Sequence, residues 1–555
     1  MRFFVLLYLI CTTAVLFAQD RYVIQIKDKN NSPFSLSNPS AFLSVKSIQR
    51  RNNQGIAIDS ADLPVNPAYI SQISATGAAI LGRSKWLNTV TIQASNPAVL
   101  ASINALPFVQ SVENVGRISH GSGTGRNKFS DEKLFAEKSI LNSDNYKKTS
   151  FNYGLSLNQI SMIGGDIMHN NGYTGNGKTI AVIDAGFFNA DNMDAFDSLF
   201  ATGKILGTWD FTDDNSNVFD DANHGSHVLS IMGGNWPGNI VGTAPHASYW
   251  LLRSEYGPAE YIIEEYDWAE AAEFADSVGA DIINSSLGYT EFDDPAQNHT
   301  YADMNGDATP VTRAADFAAQ KGMVVCNSAG NSGNGPWYFI GAPADADSIL
   351  TIGGVDDMGN YVSFSSKGPT SDGRIKPDLA AQAFGTYVAD VNNGGVFPGS
   401  GTSFSCPIIA GAAACLWQCH PASTAMQIMQ ALRQSASQFS NPDSFLGYGI
   451  PDLPQACLIL SSSYNFHEHH GNNLFLTGPN PFYNELKFAF FPDNSHFVQI
   501  LMIDFTGKIV FSKNLNVDHH NMVNHYSINE PLSSGMYLLI LKTENGLLTK
   551  KVIRQ

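Results

Sequence analysis

Residues 151 to about 460 alternate strands with helices, and this alternation constrains the fold more than any other feature of the chain. Thr179 to Ile183 is an apolar run that ends in Asp184. Ser248 to Leu252 is a second strand, followed by a helix from about Ala259 to Val278. Strand Asp281 to Asn284, helix Pro310 to Lys321 with Gly322 as its stop, strand Met323 to Cys326 and strand Ile349 to Gly353 follow. Strands spaced by helices predict a parallel sheet covered on both faces. In such a sheet the chemistry collects at the carboxyl ends of the strands, where Asp184, Asn284 and Asn331 fall.

With 555 residues the chain is too long for one ordinary domain, and its flanks read differently from this centre. Met1 to Ala18 has one positive charge and a short apolar run before Gln19-Asp20, as a secretory signal peptide does. Residues 19–115 read as a small two-layer α/β domain of order β-α-β-α-β. Its strands are Tyr22 to Ile26, Leu87 to Ile92 and Phe108 to Val112. Its first helix is expected to be capped by Asn38, with Pro39 in the first turn and Ala41, Phe42, Val45 and Ile48 as the apolar stripe. Asn96-Pro97 opens the second. From Gly116 to Ser150 a Gly/Ser-rich, then Lys-rich, stretch without an apolar period reads as a linker or processing segment. Residues 461–471 form a second, His-rich linker, and residues 472–555 alternate short strands and turn signals such as Pro492-Asp493-Asn494 and Asn545-Gly546, as a β-sandwich does.

A formal net charge of -18 argues against a nucleic-acid partner, since like charges repel. No stretch after the signal reads as a transmembrane helix, so the chain is expected to leave the cytoplasm without a span. Beyond Cys11 in the leader, the cysteines are Cys326, Cys406, Cys415, Cys419 and Cys457. An odd, sparse set does not make a disulfide framework, and burial as small apolar residues is the expectation.

Three segments carry chemistry. Ile180-Ala181-Val182-Ile183-Asp184-Ala185-Gly186 ends a buried strand on an acid, which alone is an ordinary turn cap. His224-Gly225-Ser226-His227 alone is a helix start or half a metal site, and Gly401-Thr402-Ser403-Phe404-Ser405-Cys406-Pro407 alone is a glycine-rich turn with a capping serine. Together, in this order, they resemble the signatures of the subtilase family, whose triad runs Asp, His, Ser. The resemblance covers roughly residues 155 to 457. It implies a subtilisin-like α/β fold, with a parallel sheet between two helical layers, preceded by a small α/β prodomain and followed by a small β-sandwich. It also implies a serine endopeptidase.

On that resemblance Ser403 is the nucleophile, His224 the general base and acid, and Asp184 the group that orients His224; His227 packs one helical turn further on. Asn327-Ser328-Ala329-Gly330-Asn331-Ser332-Gly333 matches the family segment that carries the oxyanion amide, which assigns that role to Asn331. Ser285-Ser286-Leu287-Gly288 resembles the edge that pairs with extended substrate backbone. Cys406, beside the nucleophile, is expected to be an inert buried thiol. An esterase would want Gly-x-Ser-x-Gly, and Ser405 stands where its last Gly belongs. A peptide-binding pseudoprotease would show a broken triad, and none is broken here. Hydrolysis and peptide ligation share one acyl-enzyme, so the residues leave both open.

No cofactor is required for such chemistry. Many subtilases bind structural calcium, and Asp213, Asp214, Asp220, Asp221 and the run Asp303-Met304-Asn305-Gly306-Asp307 offer oxygens. They are read first as solvated loops, with calcium as the alternative. His467, His469 and His470 are read as solvated linker residues.

The N-terminal domain resembles a subtilase prodomain, which implies an intramolecular inhibitor and folding template, with self-cleavage somewhere between Gly116 and Ser150. The tail resembles the sorting domain of type IX secretion substrates in Pro479-Asn480-Pro481-Phe482, Asp504-Phe505-Thr506-Gly507-Lys508, Leu532-Ser533-Ser534-Gly535-Met536-Tyr537 and Lys550-Lys551-Val552-Ile553-Arg554. That implies the type IX machinery as partner, and passage through periplasm and outer membrane to the cell surface or medium.

Overall fold

The computed structural model describes residues 19–118, 129, 132–134, 151–463 except 221, 257 and 258, and 474–555 except 479, 491–496, 505, 517–523, 544 and 545. The signal segment, most of the first linker and the three linker histidines lie outside the described residues.

The centre is a seven-stranded sheet in the order Leu379–Gln382, Leu350–Val355, Val324–Ser328, Ile282–Ser285, Thr179–Asp184, Ser248–Arg253, Ile205–Asp210. Every pairing in it is parallel. Thr179–Asp184 is buried at all its positions because alternate side chains enter different cores. Ile180 and Val182 pack with the helices His224–Gly233 and Thr402–Cys419. Ala181 and Ile183 pack on the other face with the helices Ile263–Val278 and Pro310–Gln320. Strands Ile205–Asp210 and Leu379–Gln382 escape a sequence reading: the first is mostly half-buried, and the second is only four residues long. The helix Thr402–Cys419 is apolar and long enough to cross a membrane, but all of it except Gln418 is buried as core.

One cysteine expectation is overturned. Cys419 and Cys457 form a disulfide that ties the end of helix Thr402–Cys419 to helix Leu453–Ser463. The odd count misled because Cys326, Cys406 and Cys415 are separate buried thiols.

The N-terminal unit is an antiparallel sheet in the order Ala79–Ser84, Thr89–Ala94, Gln19–Ile26, Val109–Ile118. Alternation again splits its faces. Ile24, Ile26, Val90 and Ile92 form its own core, whereas Val23, Val115 and Trp86 join the core beneath helix Ile263–Val278. The expected helix at Asn38 is a short 3-10 turn, Pro39–Ala41, in which Asn38 makes no side-chain cap. The helix proper is Val45–Gln54, capped by Ser44, whose side chain accepts from Ser47 N–H. Its buried face is polar, with Ser47, Arg50 and Arg51 inward and Val45 69% exposed, so an apolar stripe was the wrong guide.

Those arginines meet Asp276 of helix Ile263–Val278. Arg51 donates to both Asp276 and Asp62 at 2.8 Å, Arg50 pairs with Asp276, and Lys85 lies 3.4 Å from it. Burial alone would raise the Asp276 carboxyl, but Lys85, Arg50 and Arg51 together hold it low. One turn earlier, Glu273 accepts from the main-chain N–H of Lys85 and Trp86 at 2.8 and 2.9 Å.

The tail is two antiparallel sheets, one of Leu474–Leu476, Leu486–Phe490 and Asn524–Ile528, the other of Ile509–Asn516, Phe497–Asp504, Gly535–Thr543 and Gly546–Arg554. Phe488, Phe490, Ile500, Met502, Leu539 and Val552 fill the space between them.

Candidate active site

Asp184, His224, Asn331 and Ser403 come together from four separate stretches of chain. Asp184 ends its strand, and Ser254 N–H donates to its carbonyl from the next strand. His224 opens the helix His224–Gly233, and the glycine after it is sterically required. A Cβ on Gly225 would lie 2.5 Å from the Gly186 carbonyl and 3.0 Å from Asp184 Cβ, so only glycine lets the helix start against the Asp184 loop. His224 Nδ1 donates to Asp184 Oδ1 at 2.6 Å, and the same oxygen accepts from Ala185 N–H at 2.8 Å.

Ser403 lies in the first turn of helix Thr402–Cys419, and Pro407 explains part of its setting. Proline has no N–H to give the carbonyl four residues back. The freed carbonyl of Ser403 accepts instead from Ser286 Oγ at 2.9 Å, and Ser403 Oγ donates to the Ser286 carbonyl at 3.4 Å. The serine-to-proline spacing thus fastens the nucleophile segment to Ser285–Gly288, the run that continues strand Ile282–Ser285 beyond the sheet. Along that edge Ser285, Ser286 and Leu287 are buried and Gly288 is exposed. Cys406 donates to the Ser285 carbonyl at 3.5 Å, and burial holds its thiol well above the usual range, as an inert neighbour should be.

Asn331 is fixed by its oxygen. Oδ1 accepts from Thr402 N–H at 2.8 Å and Thr402 Oγ1 at 3.1 Å, while Gly330 N–H donates to the same hydroxyl at 3.1 Å. With the oxygen engaged, the amide NH2 is the donor end. The Ser403 N–H lies among the helix's first amides, which have no acceptor inside the helix.

The residues the sequence did not single out are in the linker. Glu132 Oε1 lies 3.2 Å from His224 Nε2, and the Phe129 ring stacks on the imidazole at 3.8 Å, 11° from parallel. Lys133–Leu134 pairs antiparallel with Ser400 and Gly399, on the strand that leads into Ser403. With Glu132 on Nε2, neither His224 nor Ser403 hydrogen-bonds the other. Burial by itself lowers the His224 pKa, but the Asp184 and Glu132 carboxylates outweigh it and raise it to about 10. Burial likewise pushes the Asp184 carboxyl up. His227 packs edge-on against Phe397 at 5.4 Å, and burial lowers it to about 4.

The calcium alternative gains nothing from the geometry of the described residues. Asp213 pairs with Arg253, Asp220 accepts from Asn217, Asp303 caps Thr300, and Asn305 accepts from the amides of Asp307 and Ala308. These oxygens turn to their own loops rather than to a common centre, and Asp221 lies outside the described residues. Glu255, Glu260 and Glu264 do approach one another within 4.8 Å. Two of them already serve local donors: Glu264 accepts from the N–H of Tyr256 and Tyr261, and Glu255 from Ser254 and Tyr289.

Residues 175–449 match the subtilase family, residues 21–130 the peptidase S8 propeptide domain of Bacteroidota, and residues 478–555 a secretion-system C-terminal sorting domain. Subtilisin DY of Bacillus licheniformis is 30% identical over 306 residues, covering 54% of this chain and 97% of that protein. Serine protease AprX of Bacillus subtilis is 29% identical over 298 residues, 49% of this chain, which spans only 63% of AprX. Among solved structures, MycP1 from Mycobacterium smegmatis covers 60% of this chain and 92% of its own at 22% identity, with a TM-score of 0.43. The sorting domain addresses the chain to the cell surface or the extracellular space. With its propeptide in front and its sorting domain behind, the chain belongs to the subtilase family of serine endopeptidases.

Proposed function

We propose that the protein hydrolyses peptide bonds through an acyl-enzyme on Ser403, and that it is made as a precursor silenced by its own N-terminal domain. A serine hydroxyl is a weak nucleophile near neutral pH and needs a base within reach. Once Glu132 leaves Nε2, His224 takes the Ser403 proton as Oγ bonds to the substrate carbonyl carbon. Asp184 holds the tautomer and stabilises the imidazolium. The tetrahedral oxygen is met by the Asn331 amide and the Ser403 N–H. The C–N bond then breaks, His224 gives the proton to the leaving amine, and water repeats the sequence to free the acid. Every proton and charge is handled by this chain's own groups, so these steps call for no cofactor.

The edge Ser285, Ser286, Leu287, Gly288 would pair with the main chain of an extended substrate. The working division is signal peptide 1–18, prodomain 19–115, processing segment 116–150, peptidase 151–460, linker 461–471 and sorting domain 472–555, with export by the type IX route through periplasm and outer membrane. The observation that supports the reading most is the 2.6 Å bond from His224 to Asp184, with the ring's other nitrogen turned to a seated polypeptide segment. Fluorophosphonate labelling of the mature protein tests it. Label is expected on Ser403 and none on Ser403→Ala, which should also stay unprocessed; a correctly processed protein that takes no label refutes it.

A further inference from the structure

We propose that Ser366 is a positioning residue for the oxyanion donor: it grips the peptide groups on both sides of Asn331 and so aims the Asn331 amide at the carbonyl oxygen under attack. The inference rests on the catalytic reading of Asp184, His224 and Ser403, with Asn331 as donor. It adds a buried residue, 1% exposed, that lies outside the triad and oxyanion segments.

Ser366 meets two different groups of the oxyanion loop. Its N–H donates to the Gly330 carbonyl at 2.9 Å, and its Oγ accepts from Ser332 N–H at 3.0 Å. The first group belongs to the peptide plane before Asn331, the second to the plane after it. Peptide groups are planar, so fixing both planes fixes φ and ψ at Asn331 and the direction of its Cα–Cβ bond. Thr402 holds the far end of the side chain through Oδ1. With the main chain set by Ser366 and the oxygen set by Thr402, the NH2 has one direction left. Gly330 is fitted to this contact. Its φ is +99°, and a Cβ there would meet Ser366 Oγ at 3.0 Å, so glycine both turns the chain and admits the hydroxyl.

The clamp is itself held on both flanks. Gly354 N–H donates to Ser365 Oγ at 3.0 Å, and Tyr361 Oη donates to the Ser365 carbonyl at 2.6 Å. On the other side Ile340 N–H donates to the Lys367 carbonyl at 2.9 Å, and the Lys367 ammonium lies 4.1 Å from the centre of the Tyr338 ring. The Phe364 carbonyl accepts from Gly333 N–H at 2.8 Å, so the segment Phe364 to Lys367 follows the oxyanion loop along its length. A donor of this kind works only from where the charge develops, and a small misplacement is costly. Without the Ser366 hydroxyl the Ser332 N–H loses its acceptor, and the plane after Asn331 is free to turn.

The test is a double-mutant cycle of Ser366→Ala, Asn331→Ala and the pair, each precursor matured in trans by tagged wild-type enzyme that is then removed. Ser366→Ala should lower kcat about tenfold and keep KM within about twofold, since a donor that meets charge only in the transition state leaves ground-state binding alone. In the Asn331→Ala background the same change should cost less than about twofold, because a residue that acts through Asn331 has nothing left to aim. Inhibition by a peptide aldehyde, whose hemiacetal oxygen takes the oxyanion position, should weaken about as much as kcat falls. Ser366→Cys fills the same space with a weaker acceptor and carries the cycle, with a smaller loss, if the alanine protein does not fold. Equal losses with and without the Asn331 amide, or an unchanged kcat, overturn the inference. Wild-type enzyme that takes a fluorophosphonate label and turns over peptide while the cycle is additive overturns this inference alone. Wild-type enzyme that does neither overturns the catalytic reading and this one with it.

Discussion

Replacing Glu132 by glutamine removes one charge from the catalytic histidine while keeping nearly the same shape. In the precursor the His224 pKa stands at about 10 against an ordinary 6.5. That rise is worth about 5 kcal/mol at about 1.4 kcal/mol per pKa unit. Asp184 and Glu132 supply it together, against desolvation. An opposite charge at hydrogen-bond distance is worth about 1–3 pKa units, so Glu132→Gln should lower the His224 pKa and raise the neutral imidazole at pH 7 at least about tenfold. The sign is fixed by linkage. A pKa raised in the folded state marks stabilisation that is complete below 6.5 and lost as pH rises through about 10. The Glu132 contact with His224 is therefore strongest while the imidazole is protonated and weakens as pH rises through about 10. Self-processing of purified precursor, followed by gel and intact mass across pH 6 to 11, reads this directly. The wild-type rate should climb towards pH 10. Glu132→Gln should process at least about tenfold faster at pH 7, with its midpoint lower by about 1–3 pH units, and Glu132→Asp, which keeps the charge, should stay near wild type. A glutamine variant with unchanged midpoint and rate would refute the claim that this carboxylate holds the base protonated.

Asn331→Ala in the mature enzyme should lower kcat by about 10² to 10³ and leave KM nearly unchanged, as expected for a donor engaged mainly in the transition state; steady-state kinetics on one peptide checks this. Asp276→Asn leaves Arg51, fully buried, with one full charge partner instead of two. Breaking a buried pair of this kind costs about 3–5 kcal/mol, so the unprocessed precursor should unfold earlier in denaturant while mature enzyme, lacking the arginines, changes little. Cys457→Ser opens a loop of 38 residues, worth roughly 4 kcal/mol by loop-closure entropy, and reductant should lower the wild-type Tm comparably while leaving the variant unchanged. His169 accepts from Tyr153 OH at 2.7 Å, donates to the Thr243 carbonyl at 2.9 Å, and is lowered by burial to about 4. A depressed histidine pKa means stability present above 6.5 and lost as pH falls towards 4, up to about 3 kcal/mol, which calorimetry of the Ser403→Ala precursor between pH 7 and 4 should detect.

The triad segments were legible because each carries its own short pattern. Asp184 ends a run whose neighbours on both faces are apolar, Pro407 acts on the carbonyl four residues back in its own helix, Gly225 answers to the Asp184 loop that the same motif set contains, and the order of the three narrows the fold. What escaped was decided at a distance. Arg50 and Arg51 look like surface charge, and only Asp276, 225 residues from Arg51, makes their burial tolerable. Strand Ala79–Ser84 carries no clean alternation because it passes helix Ile263–Val278, where Gly82 leaves room for Glu270. The disulfide joins two helices whose meeting no cysteine count foretells.

Glu132 was the least legible residue of all, and the reason is physical. Its segment has no hydrophobic period because it contributes little to any core; two of its residues borrow a strand edge and one borrows the face of a catalytic ring. A sequence pattern records what a segment packs into its own fold. It does not record what the segment does in a cleft 92 residues away. The deep apolar contacts belong to the folded N-terminal unit, where Val23, Trp86 and Val115 are buried beneath helix Ile263–Val278. Contacts through main chain, one ring and one titratable carboxylate can be undone by a single bond cleavage or a change of protonation, and those are the contacts this segment makes.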